Sequence, residues 1–154
     1  ADAAYPYAFA TNAKPLPYLD SPLAFVEGIE HAFNGWSTDI EGAVMRLVDD
    51  DIDVDRIIIL TDSQGNNQMR IAQRALDDLR AKLGHDVWMH VWDLAGYGTT
   101  QFAGKKVTHL AGFSDAALQF VAGAETGFAT QLDAVERVRL PERGTNIKAP
   151  LAYA

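Results

Sequence analysis

Two loop segments carry residue types that bind a hard divalent cation. The first, Gly35–Thr38, ends in a threonine hydroxyl and leads into a segment with helical spacing. The second follows the most apolar run of the chain and contains Thr61 and Asp62. Mg²⁺ takes oxygen ligands in an octahedron and usually keeps several waters, so a hydroxyl and a carboxylate on adjacent loops suit it. We therefore expect a site for Mg²⁺, or for Mn²⁺ or Ca²⁺, where these loops meet.

The other polar groupings fit structural roles. The acidic run from Asp49 to Asp55 follows a predicted helix and lacks the glycine and distal glutamate of an EF-hand loop, so we expect a solvated connection. The four histidines have no ligand spacing, and packed or surface positions are expected for all of them. The serines lack the Gly-x-Ser-x-Gly elbow of a hydrolase. No catalytic residue is predicted from these patterns.

Composition limits the class of protein and of partner. The 154 residues are 48% hydrophobic and 22% charged, as expected of one globular domain with a real core. The net charge of −8 argues against broad contact with nucleic-acid phosphate. No apolar run is long enough for a membrane span, so no membrane partner is expected. The absence of cysteine excludes disulfides and thiolate sites, and a cytoplasmic location is the simplest expectation.

Helical spacing of apolar residues predicts five helices. The first follows a serine cap with proline at the first helical position, a strong start signal. The predicted helices are Ser21-Pro22 to Asn34-Gly35, Thr38-Asp39 to Val48, about Asn67 to Leu83, a helix opening at Ser114-Asp115, and a stretch around Thr130 to Val138.

Short β-rich runs alternate with these helices. They lie at Tyr5–Thr11, Ile57–Leu60, Val87–Trp92 and Val107–Leu110. The wholly apolar second run is typical of a central parallel strand covered on both faces. The alternation predicts an α/β fold with an open, doubly wound, mostly parallel sheet and helices on both faces. Ligands of such sheets bind beyond the carboxyl ends of the strands, here the loops Gly35–Thr38, Asp62–Asn66 and Asp93–Phe102.

Several motifs resemble those of a known family. The Thr-Asp pair at Thr38 and the run Ile57–Asp62 resemble the second and third motifs of the metal-ion-dependent adhesion site in von Willebrand factor A domains. This resemblance implies Thr38 and Asp62 as metal ligands. Ala3–Phe9 and the Gly-Phe-x-x-x-Ala-Leu stretch at Gly112–Leu118 are similar to segments of the Ro autoantigen (TROVE-module) family. In that family a helical ring that binds RNA precedes a von Willebrand A domain.

The first motif of that family has no counterpart here. It is Asp-x-Ser-x-Ser at the end of the first strand, and a strand and helix of about 30 residues should separate it from Tyr5. Only four residues precede Tyr5. We therefore expect residues 1–140 to form an incomplete von Willebrand A-like domain, with residues 141–154 as an extended tail. The first strand would come from another chain.

The resemblance implies a partner polypeptide that carries the TROVE helical ring and the missing Asp-x-Ser-x-Ser strand. Such a partner would complete the metal site in a hetero-oligomer, and RNA would be bound indirectly through it. The chain would then be an interaction module and no enzyme, although self-cleavage of a precursor would also explain the split. The alternative is a Mg²⁺-dependent α/β phosphotransfer or phosphohydrolase domain that uses Asp62, with Asp93 as a further ligand. A phosphatase assay discriminates between them.

Overall fold

The computed structural model describes residues 3–17, 21–32, 37–62, 69–96, 100, 102–112 and 114–127. Within these ranges the elements in chain order are β1 (Tyr7–Phe9), β2 (Ala13–Pro15), α1 (Pro22–Ala32), α2 (Ile40–Asp49), β3 (Arg56–Thr61), α3 (Met69–Leu83), β4 (Trp88–Asp93), β5 (Val107–Ala111) and α4 (Asp115–Thr126). The helix expected around Thr130 to Val138 and the tail from residue 141 lie outside the described residues.

The described strands form two sheets. β3, β4 and β5 are parallel and lie in that order, with helices beside them, which confirms the α/β class and the parallel sheet. β1 and β2 form an antiparallel hairpin. The strand predicted over Tyr5–Thr11 is present but shorter, because the chain reverses after Phe9. The amide of Ala10 donates to the carbonyl of Asn12 (3.1 Å) in a tight turn that sends β2 back along β1.

One face of the parallel sheet is covered by α2 and α3. Asp39 caps α2 by accepting a hydrogen bond from the amide of Gly42 (2.9 Å), so the helix begins where its apolar stripe does. Apolar residues at three- and four-residue spacing on both helices meet alternate residues of β3 and β4. The buried members of this core are Ile40, Val44, Leu47, Ile59, Ala72, Ala75, Leu76, Leu79, Met89, Val91 and Phe102.

The opposite face of the sheet has less cover. From α4, Val121 is buried, whereas α1 has no buried residue. Ile58 and Leu60 on β3 are 43% and 56% exposed. The prediction that Ile57–Leu60 is a central strand covered on both faces is therefore wrong for the described part of the chain, where β3 lies at the edge of its sheet. Other large apolar side chains exposed on the described helices are Leu23, Val26, Ile71, Leu118 and Phe120.

The hairpin is attached to α2 at both ends of β1. The hydroxyl of Tyr7 donates to Asp50 after the carboxyl end of α2 (2.7 Å), and the carbonyl of Ala10 accepts from the amide of Asp39 at its amino end (2.8 Å). β1 therefore runs opposite to α2. The six-residue connection from α2 to β3 returns the chain along the same helix, so β3 also runs opposite to α2. β1 and β3 consequently point in the same direction.

Asp50, which accepts the hydrogen bond from Tyr7, also forms an ion pair with Arg46. Arg46 contacts both carboxylate oxygens of Asp50, at 2.9 Å through Nε and 2.8 Å through a terminal guanidinium nitrogen. The hydrogen bonds from Arg46 and Tyr7 lower the pKa of Asp50. Burial and the bond to Asp50 raise the pKa of Tyr7 to about 12. The folded chain therefore holds this phenol in its protonated form.

Replacing Tyr7 by phenylalanine should remove an alkaline transition. Because the pKa of Tyr7 is raised from an ordinary value of about 10, its stabilisation is complete below pH 10 and is lost as the pH rises towards 12. Tyr7→Phe should cost about 1 kcal/mol at neutral pH. The measurement is tyrosinate absorbance against pH: the variant should lack the component that titrates near 12. Its persistence in the variant would assign that component to another tyrosine.

Candidate functional site

Polar residues gather at the carboxyl ends of the parallel strands. β3 ends at Thr61 and is followed by Asp62, while β4 ends at Asp93. Thr61 and Asp93 are paired neighbours in the ladder and are both buried. Asp62, one residue further on, is exposed. The predicted ligand Asp62 thus stands at the edge of the sheet where open α/β folds bind ligands.

Thr38, the other predicted ligand, lies at the same edge. It is half-buried and precedes Asp39, the residue that caps α2. Because α2 runs opposite to β3, its amino end lies at the carboxyl end of the strand. The hydrogen bond from the amide of Asp39 to the carbonyl of Ala10 fixes this turn against the end of β1. The remainder of the loops around Gly35 and Asn66 lies outside the described residues.

The donor set suits a hard cation. A threonine hydroxyl and an aspartate carboxylate are oxygen ligands of the kind that Mg²⁺ and Ca²⁺ accept. Across the ranges that the structure describes, no three His, Asp or Glu side chains come close enough together to hold a metal ion. Thr38 and Asp62 thus stay candidate ligands by the chemistry of their side chains.

The side chain of Asp93 stabilises the turn that follows β4. Its Oδ1 accepts hydrogen bonds from the amides of Ala95 (3.0 Å) and Gly96 (2.8 Å), which closes a turn directly after β4. The next amide, that of Leu94, donates to the carbonyl of Thr61 (2.8 Å) and extends the ladder with β3. One oxygen of the carboxylate is thus committed to backbone donors at the edge of the sheet.

Gly112 joins the ends of β4 and β5. Its amide donates to the carbonyl of Asp93 (3.1 Å), and its carbonyl accepts from the indole Nε1 of Trp92 (2.6 Å). Its φ of +85° lies in the left-handed region that favours glycine. The glycine of the Gly-Phe-x-x-x-Ala-Leu stretch therefore has a structural reason for being there. It turns the chain from β5 towards α4.

A buried polar network beneath α4 was missed by sequence reasoning. His90 is fully buried, with Nδ1 2.6 Å from the hydroxyl of Thr108 and Nε2 3.0 Å from Glu125. Glu125 also accepts from Arg56 (2.6 Å), which connects α4 to both β3 and β4. Trp88 stacks on the imidazole with ring centroids 5.6 Å apart. The sequence predicted a packed histidine but not its carboxylate partner Glu125, which lies 35 residues away in the chain.

No protein-family model matches the chain, and no curated protein matches it. Among the described residues no helix is both long and apolar enough to cross a membrane.

The role of Asp93 can be tested through its turn. Asp93→Ala removes the acceptor for two amides, so exchange of the Ala95 and Gly96 amide hydrogens with solvent should accelerate about tenfold, as expected for a lost hydrogen bond. Asp93→Asn keeps an acceptor oxygen and should accelerate exchange less. Amide hydrogen exchange followed by NMR measures both. Equal, unchanged exchange in the two variants would contradict the capping role.

Proposed function

We propose that this chain is a non-enzymatic interaction module of the von Willebrand A type, whose metal-ion-dependent adhesion site is completed by a partner polypeptide. The observation that carries the proposal is the position of Thr38 and Asp62 at one edge of the parallel sheet, beside a strand with little cover. The module is the carboxyl-terminal part of a split or cleaved Ro-like assembly. The partner contributes the TROVE helical ring.

The ligand count supports a shared site. A hydroxyl from Thr38 and a carboxylate from Asp62 would fill only part of the octahedron around Mg²⁺ and leave the other positions to water. Two such ligands bind the ion weakly, because they must displace water that the ion holds strongly. An Asp-x-Ser-x-Ser segment adds one carboxylate and two hydroxyls. A site assembled from the two polypeptides then holds Mg²⁺, Mn²⁺ or Ca²⁺ more tightly than either polypeptide does.

The surface beside the site supports association. Ile58 and Leu60 are exposed on β3, the strand that leads to Asp62. Apolar surface of this kind marks an interaction site when it lies in one place on a domain. Burial against a partner removes it from water at about 25 cal/mol per Å². Association driven in this way persists at high salt, since screening weakens surface charge and leaves apolar burial intact.

The net charge of the chain supports the proposal that the partner, and not this chain, binds the RNA. The net charge of −8 repels a phosphate backbone, so this module itself contributes little to RNA affinity. The RNA is held by the helical ring of the partner. The module contributes a metal-dependent contact surface to the same assembly.

The alternative of a phosphohydrolase would draw on Asp93 beside Asp62. A Mg²⁺-dependent hydrolase of this fold needs further acidic ligands near Asp62, and Asp93 is the neighbouring carboxylate at the strand ends. Its Oδ1 is already engaged by two amides of its own loop.

The test uses a fusion in which a strand with Asp-x-Ser-x-Ser and a helix precede residue 1. The fusion should bind Mn²⁺ in calorimetry, and the unfused chain should bind it at least about tenfold more weakly, because it lacks three oxygen ligands. Asp62→Ala should abolish binding by the fusion, and Thr38→Ala should weaken it. Asp78→Ala, which removes an exposed carboxylate on α3, is the matched control and should bind normally. Unchanged Mn²⁺ affinity in Asp62→Ala would refute the site.

A further inference from the structure

One carboxylate of α4 contacts two strands of the sheet. Glu125 lies 3.0 Å from Nε2 of His90 on β4 and accepts a hydrogen bond from Arg56 on β3 (2.6 Å). A carboxylate has no hydrogen to donate, so the imidazole carries a hydrogen on Nε2 and donates it to Glu125. The hydroxyl of Thr108 on β5 lies 2.6 Å from Nδ1. Both ring nitrogens of His90 therefore have partners.

The docking of α4 depends on this carboxylate. The side chain of His90 has no exposed surface, and that of Glu125 is 15% exposed. Val121, four residues before Glu125 and so on the same face of the helix, is also buried. Docking of α4 removes the imidazole from water, and Glu125 supplies the acceptor that water would otherwise provide. Without Glu125, the docked helix would leave a buried N–H group unsatisfied.

A glycine in the left-handed region lies at each end of α4. Gly112 follows β5 and has a φ of +85°, and Gly127 follows the last residue of α4 and has a φ of +97°. Glycine adopts such angles readily because it has no Cβ. Positions of this kind absorb the backbone rotation that a moving element requires. The chain therefore has suitable hinges for α4 to leave the sheet as one body.

The part of the sheet near the carboxyl end of α4 has the composition of a protein-binding surface. Arg56 and Trp88 are paired neighbours on β3 and β4. Trp88 stacks on His90 with ring centroids 5.6 Å apart, and Nζ of Lys106 lies 5.8 Å from the centre of the Trp88 ring. Tryptophan and arginine are enriched among the residues that contribute most to the affinity of protein interfaces.

The charges on this surface favour an acidic ligand. Asp86 is shared between Lys105 (2.7 Å) and Lys106 (3.6 Å), so one carboxylate faces two cations. Glu125 neutralises Arg56 only while α4 is docked. Departure of α4 thus uncovers a positively charged surface on a chain whose net charge is −8. Complementary charge at such a surface selects the partner and speeds its association.

We propose that α4 shields an interaction face of the sheet, and that the partner which replaces α4 is an acidic protein segment presenting a carboxylate to Arg56 and His90. Glu125 then occupies the position of the partner's carboxylate, and its contact with the sheet is autoinhibitory. This face lies at the amino end of β3, whereas Asp62 follows the carboxyl end of the same strand. The inference therefore does not rest on the candidate metal site.

The first experiment measures amide hydrogen exchange of the full chain by NMR. Glu125→Gln keeps the size of the side chain and removes its charge, so the amides of residues 119–126 should exchange at least about tenfold faster, as expected for loss of a hydrogen bond to a charged group. Glu30→Gln, which alters an exposed carboxylate on α1, is the matched control and should leave α4 unchanged. The amides of Met89 and Val91 should stay protected in both variants, which shows that the sheet remains folded.

The second experiment uses a peptide of residues 115–126 as the acidic segment. The peptide should bind the Glu125→Gln chain at least about tenfold more tightly than the unaltered chain, because the carboxylate of α4 no longer competes. Changes in the ring resonances of Trp88 and His90 would locate the bound peptide. A control peptide with glutamine in place of its glutamate should bind neither chain. Adding Arg56→Gln to the variant should weaken binding, whereas adding Arg74→Gln, on the exposed side of α3, should not.

Four results would overturn the proposal. Unchanged exchange of α4 in Glu125→Gln would mean that the carboxylate does not hold the helix, and equal acceleration in α4 and β4 would mean a general loss of stability. Equal binding of the two peptides would mean that the face does not recognise a carboxylate. Failure of the acidic peptide to bind the Glu125→Gln chain more tightly than the unaltered chain would mean that α4 shields no binding face.

Discussion

The rest of this fold depends on one constraint: the backbone N–H and C=O groups on both sides of β3 need hydrogen-bond partners. A backbone donor or acceptor in an apolar layer needs a partner, because an unsatisfied buried group costs about as much as a lost hydrogen bond. β4 satisfies one side of β3. The other side carries Arg56, Ile58 and Leu60 at the boundary of a core that continues to the hairpin. The exposure of Ile58 and Leu60 and the proposed partner strand both relate to this one edge.

The layer on the far side of the sheet is held by polar contacts more than by burial. Glu125 accepts from Arg56 and lies 3.0 Å from Nε2 of His90, so its carboxylate fastens α4 to two strands. A buried imidazole needs such partners, and removing one would leave a buried polar group unsatisfied. By contrast, α2 and α3 are held by interlocking apolar side chains. The two faces of one sheet are therefore stabilised by different interactions.

Periodicity predicted the long elements well, since their apolar spacing is strong. The stripe on α2 and the apolar run in β3 determine both structures locally. The hairpin was not predicted, because strands of three residues carry too few alternations to be recognised. For the candidate site, Thr38 and Asp62 were predicted from their position after predicted elements and by resemblance, and their role as ligands stays a prediction. The turn made by Asp93 and the contact between His90 and Glu125 depend on tertiary structure that the spacing of residues in a single sequence does not reveal.

The central claim, that the sheet of this chain is incomplete, is tested most directly by calorimetric unfolding and size-exclusion chromatography of the chain alone. On the proposal that a partner strand completes the sheet, the chain alone should unfold over a broad range with little cooperativity and should self-associate through the apolar side chains exposed among its described residues. A monomer with a sharp, two-state thermal transition would show that the sheet is already complete and would contradict the account.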